Sequence, residues 1–323
     1  MFDVVALGES LIDFTPSGVN ELGMQLFACN PGGAPANVLA MNAKLGGKTA
    51  FIGKVGDDSF GRFLKSTMEE AGIQVSGLRL SPTANTTLAF VQLDDQGDRS
   101  FSFYRKPGAD ICLSREEVDQ NLLKNCKIFH FGSVSLTDEP SRGATLFGAE
   151  QAKAAGAVIS YDPNYRPLLW ETPELAQTMM LKALPLADIV KVSEEEMELL
   201  TGETDLTTGA KKLARHGAAL VLVTLGPKGA FYYTGQASGR VPAYDVATID
   251  TTGAGDAFLG ALLFRIGGRP LEELRRLSCN EWQEIIAFSN AAGSLTTAQK
   301  GGIPAMPNRE QMDACMREVP FLH

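Results

Sequence analysis

Six short apolar runs recur along this chain: VVALG (4–8), TAFIGKVG (49–56), KIFHFG (127–132), AVISYD (157–162), IVKVS (189–193) and ALVLVTLG (219–226). Each is short and rich in β-branched or aromatic residues, the pattern of a strand buried on both faces. Helical patterns lie between them, such as ANVLAMNAKLG (36–46) and FGRFLKSTMEEAG (60–72), and glycines such as Gly46, Gly72, Gly156 and Gly217 stop the helices before the next strand. Repeated strand–helix–strand units cover a mostly parallel sheet with helices on both sides, so the expected fold is a three-layer α/β/α sandwich.

Two pieces break that rhythm. Residues 86–94 and 99–105 flank Asp95-Gln96-Gly97-Asp98 and read as a β-hairpin. The segment 14–31 is punctuated by glycine and fits no βα layer. Together they predict a small β-rich lid, inserted from about 12–31 and 84–108 into a single domain spanning 1–323, with Pro31-Gly32-Gly33 as a candidate hinge.

Composition excludes several functions. The chain has 323 residues, 44% hydrophobic and 21% charged, ordinary for a globular domain. Lys+Arg is 29 against 38 Asp+Glu, a formal charge of −9, which argues against nucleic-acid or anionic-membrane partners. The start, MFDVVALGESLIDF, reads as neither a signal peptide nor an anchor. Five cysteines, odd in number and never in a CxxC, fit a reducing cytoplasm. Three histidines, one of them terminal, leave little for a His-based metal site, and no G-x-S-x-G elbow is present. Gly47-Lys48-Thr49 ends like a phosphate loop, but Asn42 stands where its first glycine belongs, so it is a helix-to-strand turn. VVALGES lacks the later glycines of a dinucleotide fingerprint.

The strongest chemical signal is Asp250-Thr251-Thr252-Gly253-Ala254-Gly255-Asp256, running into the apolar stretch AFLGALLF (257–264). A Gly-Ala-Gly turn at a helix start aims backbone N–H groups and the positive dipole end at one point, an anion pocket suited to phosphate. An aspartate at the first helical position is also ordinary helix chemistry. Beside an anion pocket, however, a carboxylate repels the ligand unless it has work there, and taking a proton from an attacking hydroxyl is such work. An unperturbed aspartate is already ionised at neutral pH, so no large tuning is needed. A helix with no polar face is buried all round and would hold its N-terminus still.

At this point the residues resemble a known family. DTTGAGDAFLGAL resembles the C-terminal signature of the ribokinase-like, or PfkB, carbohydrate kinases, and NPGGAPANVLAMNAKLG (30–46) their N-terminal one. LGESLIDF, GKVGDDSFG, DPNYRP, VTLGPKGA and TTAQKGGIPAMP fall in the family's order, so the resemblance spans nearly the whole chain. It implies a ribokinase-like fold and an ATP-dependent sugar kinase.

The resemblance also assigns residues. Asp256 would be the general base, and Gly253, Ala254 and Gly255 the anion hole. Asp13, Gly32, Gly33 and Asn37 would hold the sugar; read bottom-up, Asp13 caps the first strand or is a solvated turn residue, and Asn37 is open to a helix N-cap role. Thr224, Gly226, Gly229, Ser193 and Asn290 would lie near ATP, although 224–229 is also readable as a plain tight turn. Asp250 with the carbonyls of Thr252, Thr296, Gln299, Gly301 and Ala305 would hold a monovalent cation, K⁺. Many members carry N-x-x-E for Mg²⁺ and phosphate; here Ser193 replaces the Asn, and Glu196 would act on Mg²⁺ indirectly or simply belong to an exposed helix start.

FHFGSVSLTDEP, FYRKPGAD and DPNYRPLLW resemble the fructokinase branch. Arg105 and Arg166 are candidate substrate residues; an arginine in a sugar site suits an acidic group, which keeps 2-keto-3-deoxygluconate as an alternative substrate, and surface roles as another. A catalytically inactive sugar-binding regulator is the reading from a different class. Pairing of lids into a homodimer is a further implication of the resemblance.

Overall fold

The structure is a computed structural model that describes residues 1–93 and 99–322. Its strands in chain order are β1 (Phe2–Leu7), β2 (Leu11–Val19), β3 (Gln25–Gly32), β4 (Thr49–Gly56), β5 (Ile73–Ser81), β6 (Leu88–Leu93) and β7 (Arg99–Tyr104). β8 (Cys126–Gly132), β9 (Val158–Asp162), β10 (Ile189–Ser193), β11 (Leu220–Thr224), β12 (Ala230–Tyr233) and β13 (Ser238–Val241) follow. Among the described residues they form a nine-stranded sheet, ordered β13-β12-β11-β10-β9-β8-β1-β4-β5, and a four-stranded sheet, β3-β2-β6-β7. The large sheet is parallel except at the β11–β12–β13 edge, which the sequence reading did not anticipate.

Residue alternation explains the three layers. Along β1, Val4 and Ala6 enter one core while Val5 and Leu7 enter the other. Ile189 against Val190 and Val192, and Leu220 and Leu222 against Val221 and Val223, split the same way. A strand apolar on both faces needs helices on both sides, which is why the six runs lacked polar alternation. The expected helices form at Ala34–Lys44 and Ser59–Glu70; Asp58 caps the second by accepting from Gly61 N–H.

The lid follows from the two irregular pieces. β2 and β3 pair antiparallel, as do β6 and β7, while β2 and β6 join in parallel. The turn 95–98 lies outside the described residues. Phe14 stacks on Phe90 with centroids 4.7 Å apart, and Phe27 and Tyr104 meet Phe90 edge-on, so the lid has its own aromatic centre.

The strand order reverses at β1, which pairs with β4 on one side and β8 on the other. In open α/β sheets a crevice opens beyond the carboxyl ends at such a point. The lid springs from the end of β1 and lies over it.

The first helix packs against the long helix Ala254–Ile266, and the contact is close because Gly260 has no side chain. A Cβ there would lie 2.5 Å from the Val38 carbonyl oxygen and 2.7 Å from Met41 Cβ. Asn42 Nδ2 donates to the Gly260 carbonyl at 3.3 Å. In an exposed helix, glycine to alanine would gain stability through propensity. Here Gly260→Ala should instead cost about 1–3 kcal/mol by overpacking. Urea denaturation measures it, and a gain in stability would contradict the packing.

Candidate active site

A cavity of about 670 Å³ lies between the lid and the carboxyl ends of the strands. Its wall gathers Asp13, Gly32, Gly33 and Asn37 from the N-terminal signature, and Asp250, Thr252, Gly253, Gly255 and Asp256 from the C-terminal one. Arg166 and Gly301 also face it.

The two signatures meet through one hydrogen bond: Asn37 Nδ2 donates to Asp256 Oδ2 at 2.8 Å, across 219 residues of sequence. Asn37 is therefore no N-cap. It lies inside the first helix, whose N-cap is Gly33. Gly33 has φ +118°, and a Cβ there would sit 2.5 Å from the Glu9 carbonyl oxygen. Glycine is required where lid and body strands touch.

The long helix starts earlier than expected. Gly253, with φ +77°, is its N-cap, so Ala254 is the first helical residue and Asp256 the third. Ala254 N–H donates to Thr251 O at 3.3 Å, and the Ala254 side chain does not line the cavity. The Gly255 and Asp256 N–H groups have no acceptor among the described residues. Gly253 N–H likewise has none, so three amides at this helix start lack a protein acceptor, as many as the sequence suggests but with Asp256 in place of Ala254.

Asp256 is buried, and burial raises its pKa above the ordinary carboxylate range; the Asn37 hydrogen bond and the charges of Lys191 and Arg166 oppose that rise. A base with a raised pKa is a stronger proton acceptor.

Lys191 is the residue that sequence reasoning missed. Its Nζ pairs with Asp162 Oδ2 at 2.8 Å, and a Cβ on Gly255 would come within 3.0 Å of the same nitrogen. Burial works against its charge, but Asp162, Glu196 and Asp256 together raise its pKa, so a full positive charge sits at the Gly-Ala-Gly turn. A lysine inside the apolar run IVKVS was the available signal, since a charge in a two-sided buried strand demands partners.

Asp13 does not end the first strand. It lies in β2, within the lid, and faces the cavity. Burial pushes its carboxyl up to about 6, with Arg166 pulling down and Asp250 pushing up. Arg166 is exposed, and its Nη1 donates to the Tyr165 carbonyl at 3.2 Å. The DPNYR loop carrying it is held from below: Asn164 N–H donates to Asp162 Oδ1 at 3.1 Å and Tyr165 N–H to Glu196 Oε1 at 2.6 Å.

Arg105 is not on the cavity wall. It is buried, paired with Asp110 Oδ2 at 2.7 Å, and donates to Thr137 Oγ1 and the Val134 carbonyl at 2.8 and 2.9 Å. All its nitrogens serve the lid attachment, so the substrate role expected for it is not what the fold uses it for.

Ser193 and Thr224 lie side by side at the carboxyl ends of β10 and β11, outside this cavity. Ser193 Oγ accepts from Glu196 N–H at 3.1 Å and Glu196 Oε2 accepts from Ser193 N–H at 2.8 Å, a capping box. Glu196 is buried, not an exposed helix start, and burial with Asp162 beside it raises its pKa. Gly226 and Gly229 form the turn after β11, and Asn290 Nδ2 clamps the Val241 and Pro242 carbonyls at 2.9 and 3.0 Å.

Asp250 joins two loops: Oδ1 accepts from Thr252 N–H and Oγ1 at 3.0 and 2.8 Å, and Oδ2 from Gly301 N–H at 3.2 Å. Ile249 and Asp250 N–H both donate to the Thr297 carbonyl. Gln299 and Ala305 border a smaller cavity of about 320 Å³ behind these loops, and Thr296 ends the helix Cys279–Thr296. No group of three or more His, Cys, Asp or Glu among the described residues could hold a metal ion.

Comparison with known proteins agrees with this geometry. Residues 1–309 match the pfkB family carbohydrate kinase profile. The chain is 47% identical to fructokinase-1 of Oryza sativa subsp. japonica over 317 residues, covering 96% of each. Fructokinase of Xylella fastidiosa with bound ATP has 35% identity and a TM-score of 0.91, covering 98% of this chain and 99% of that one. Fructokinase of Vibrio cholerae O395, in its fructose-, ADP- and calcium-bound form, has 37% identity and a TM-score of 0.87, covering 97% and 98%. Family match, fold and the meeting of the two signatures at Asn37 and Asp256 lead to one conclusion: the chain belongs to the pfkB family of carbohydrate kinases.

Proposed function

We propose that this kinase transfers the γ-phosphoryl group of ATP to the primary 6-hydroxyl of D-fructose, giving fructose 6-phosphate and ADP. The carrying observation is a cavity lined by Asp256 and its helix start with acceptor-free amides, with Asp13 and Asn37, groups able to bond hydroxyls, also on its wall. The relatives named fructokinase support the choice of sugar.

In this reading the lid closes over the sugar and excludes water. Asp256 takes the hydroxyl proton as the oxygen–phosphorus bond forms, and the bond to the bridging oxygen breaks, its electron pair leaving with ADP. The Gly255 and Asp256 N–H groups and Lys191 Nζ meet the charge that develops on the transferring group. Arg166, presented by Asp162 and Glu196, adds a second cation. Thr224, Gly226, Gly229 and Asn290 shape the nucleotide end.

Mg²⁺ would neutralise phosphate charge, and Glu196 would act on it through a bridging water, since each of its oxygens accepts one backbone N–H and keeps a second lone pair. K⁺ at Asp250 would stiffen the 249–252 loop that leads into the anion pocket.

One observation weighs against 2-keto-3-deoxygluconate. With Arg105 spent on Asp110, the arginine left for a sugar carboxylate is Arg166, opposite Asp13, with Lys300 the other cation on the wall not already paired with Asp162. All five cysteines are free, which fits a reducing compartment such as the cytoplasm, and no helix among the described residues is long and apolar enough to cross a membrane. Val19, Leu22, Met24 and Leu26 are exposed on the lid and support its use as a homodimer face.

A coupled ADP assay across fructose, other ketoses and sugar acids, with and without K⁺, tests the reading: fructose should be preferred and K⁺ should raise turnover. Turnover confined to sugar acids would overturn it. Asp256→Ala should lower kcat roughly 10²–10⁴-fold with the fold kept, and Lys191→Met should lower kcat more than it raises the KM for fructose. The acid limb of kcat/KM for fructose should lie above the ordinary carboxylate range, because Asp13, at about 6, and Asp256 are both raised and must ionise to act. A limb at about 4 would contradict the buried geometry. Sedimentation of the wild type and of Leu22→Glu should show a dimer and its loss; a wild-type monomer excludes the lid interface.

A further inference from the structure

The chain passes from body to lid at 8–10, returns at 32–34, enters again at 86–87 and leaves at 105–110. At the first pair of crossings, Glu9 is buried and its Oε1 accepts from Ala34 N–H at 3.1 Å, while Ser10 Oγ donates to the Gly32 carbonyl at 3.3 Å. At the second pair, Ile12 N–H donates to the Thr87 carbonyl, Thr87 Oγ1 to Asp110 Oδ1, and Arg105 to Asp110. The charges of Arg105 and Asp110 both act on Glu9, so the two attachments share one buried charge cluster.

Ala34 opens the helix Ala34–Lys44, whose N-cap Gly33 offers no side chain to cap it. A helix start leaves N–H groups without intrahelical partners and carries a positive dipole end, both of which a carboxylate satisfies. Glu9 supplies that cap from the end of β1. One turn on, Asn37 N–H donates to the Gly33 carbonyl at 3.0 Å and its side chain reaches Asp256. The second Glu9 oxygen is buried with no partner among the described residues, although Glu9 lines the cavity. Burial pushes this carboxyl up to about 7, partly offset by its backbone hydrogen bonds and by Arg105. A buried acid so placed is costly, and a specific use explains its presence better than packing does.

We infer that Glu9 is a positioning residue of the sugar site: it caps the first helix from across the lid hinge and so fixes the Gly32–Gly33 turn and the reach of Asn37 to Asp256. It acts through Ala34 and not on the reacting atoms. The inference rests on the reading above insofar as the sugar lies against residues 32–37.

Three variants test it. Glu9→Gln keeps an oxygen within reach of Ala34 N–H; Glu9→Asp keeps the charge but withdraws it by one methylene; Ala34→Pro deletes the donor and suits a first helical position. Glu9→Asp and Ala34→Pro should each raise the KM for fructose about tenfold, with the KM for ATP within about twofold, as expected for a lost charge-assisted hydrogen bond felt at one substrate. Amide exchange at Ala36 and Asn37 should quicken in both and stay near wild type in Glu9→Gln, which should also keep the KM for fructose within about threefold. Unchanged exchange in Glu9→Asp and Ala34→Pro, equal damage in Glu9→Gln, or a parallel rise in the KM for ATP would each overturn the inference. The exchange measurement needs no sugar, so it decides the role of Glu9 even if fructose proves not to be the substrate. Ala34→Pro leaves Glu9 in place and decides the question if Glu9→Asp does not fold.

Discussion

The contact between the helices Ala34–Lys44 and Ala254–Ile266 is the constraint on which the site depends. Gly260 lets the Val38 carbonyl approach to a distance that a Cβ would block, and this sets the two helix starts facing one cavity. The Asn37–Asp256 hydrogen bond is the local consequence. Hydrophobic packing does not itself choose such a geometry, because it is non-directional. Choice comes from the absent side chain and from Asn42, which bonds the Gly260 carbonyl. Each helix is buried nearly all round, so neither can rotate without moving the core. The Gly253–Asp256 helix start is the end of a core element.

Burial that makes the pocket rigid also makes its charges expensive, and the fold answers with pairing. Asp162 holds Lys191, Glu196 holds the loop bearing Arg166, and Asn37 bonds the carboxylate of Asp256. Removing water strengthens every one of these interactions. Asp256 is left more basic than a surface aspartate, while Lys191 stays charged because three carboxylates surround it. A carboxylate and a cation that act on each other's charge are thus both buried at one cavity, with Lys191 committed to Asp162.

The sequence made the layers legible because their signal is local. Two-sided apolar runs such as VVALG and IVKVS admit few structures, and glycine stops mark the helix ends. The Gly-Ala-Gly turn was legible for the same reason. What escaped were facts of three-dimensional proximity. Asp13 follows the first strand by a few residues, yet it lies in the lid because the chain changes sheets at Glu9 and Ser10. Arg105 has the residue type of a ligand for acids, but its acid is Asp110, five residues on and reached through a turn. Lys191 stood in plain view inside an apolar strand, and the lack of a partner in the sequence was itself the clue.

Arg105 and Arg166 show how one fold separates anchoring from recognition. Both follow a lid or loop element and both are near carboxylates. Arg105 is buried with its acid and two acceptors and is not on the cavity wall, so its interactions go into attaching the lid. Arg166 keeps one hydrogen bond to its own neighbour and an exposed guanidinium, so its interactions remain available to a ligand. A buried, satisfied arginine cannot be recruited to a substrate without leaving Asp110 unpaired, which is costly. Recruiting Arg105 to a ligand would mean breaking its pair with Asp110, whereas Arg166 and Lys300 already face the cavity.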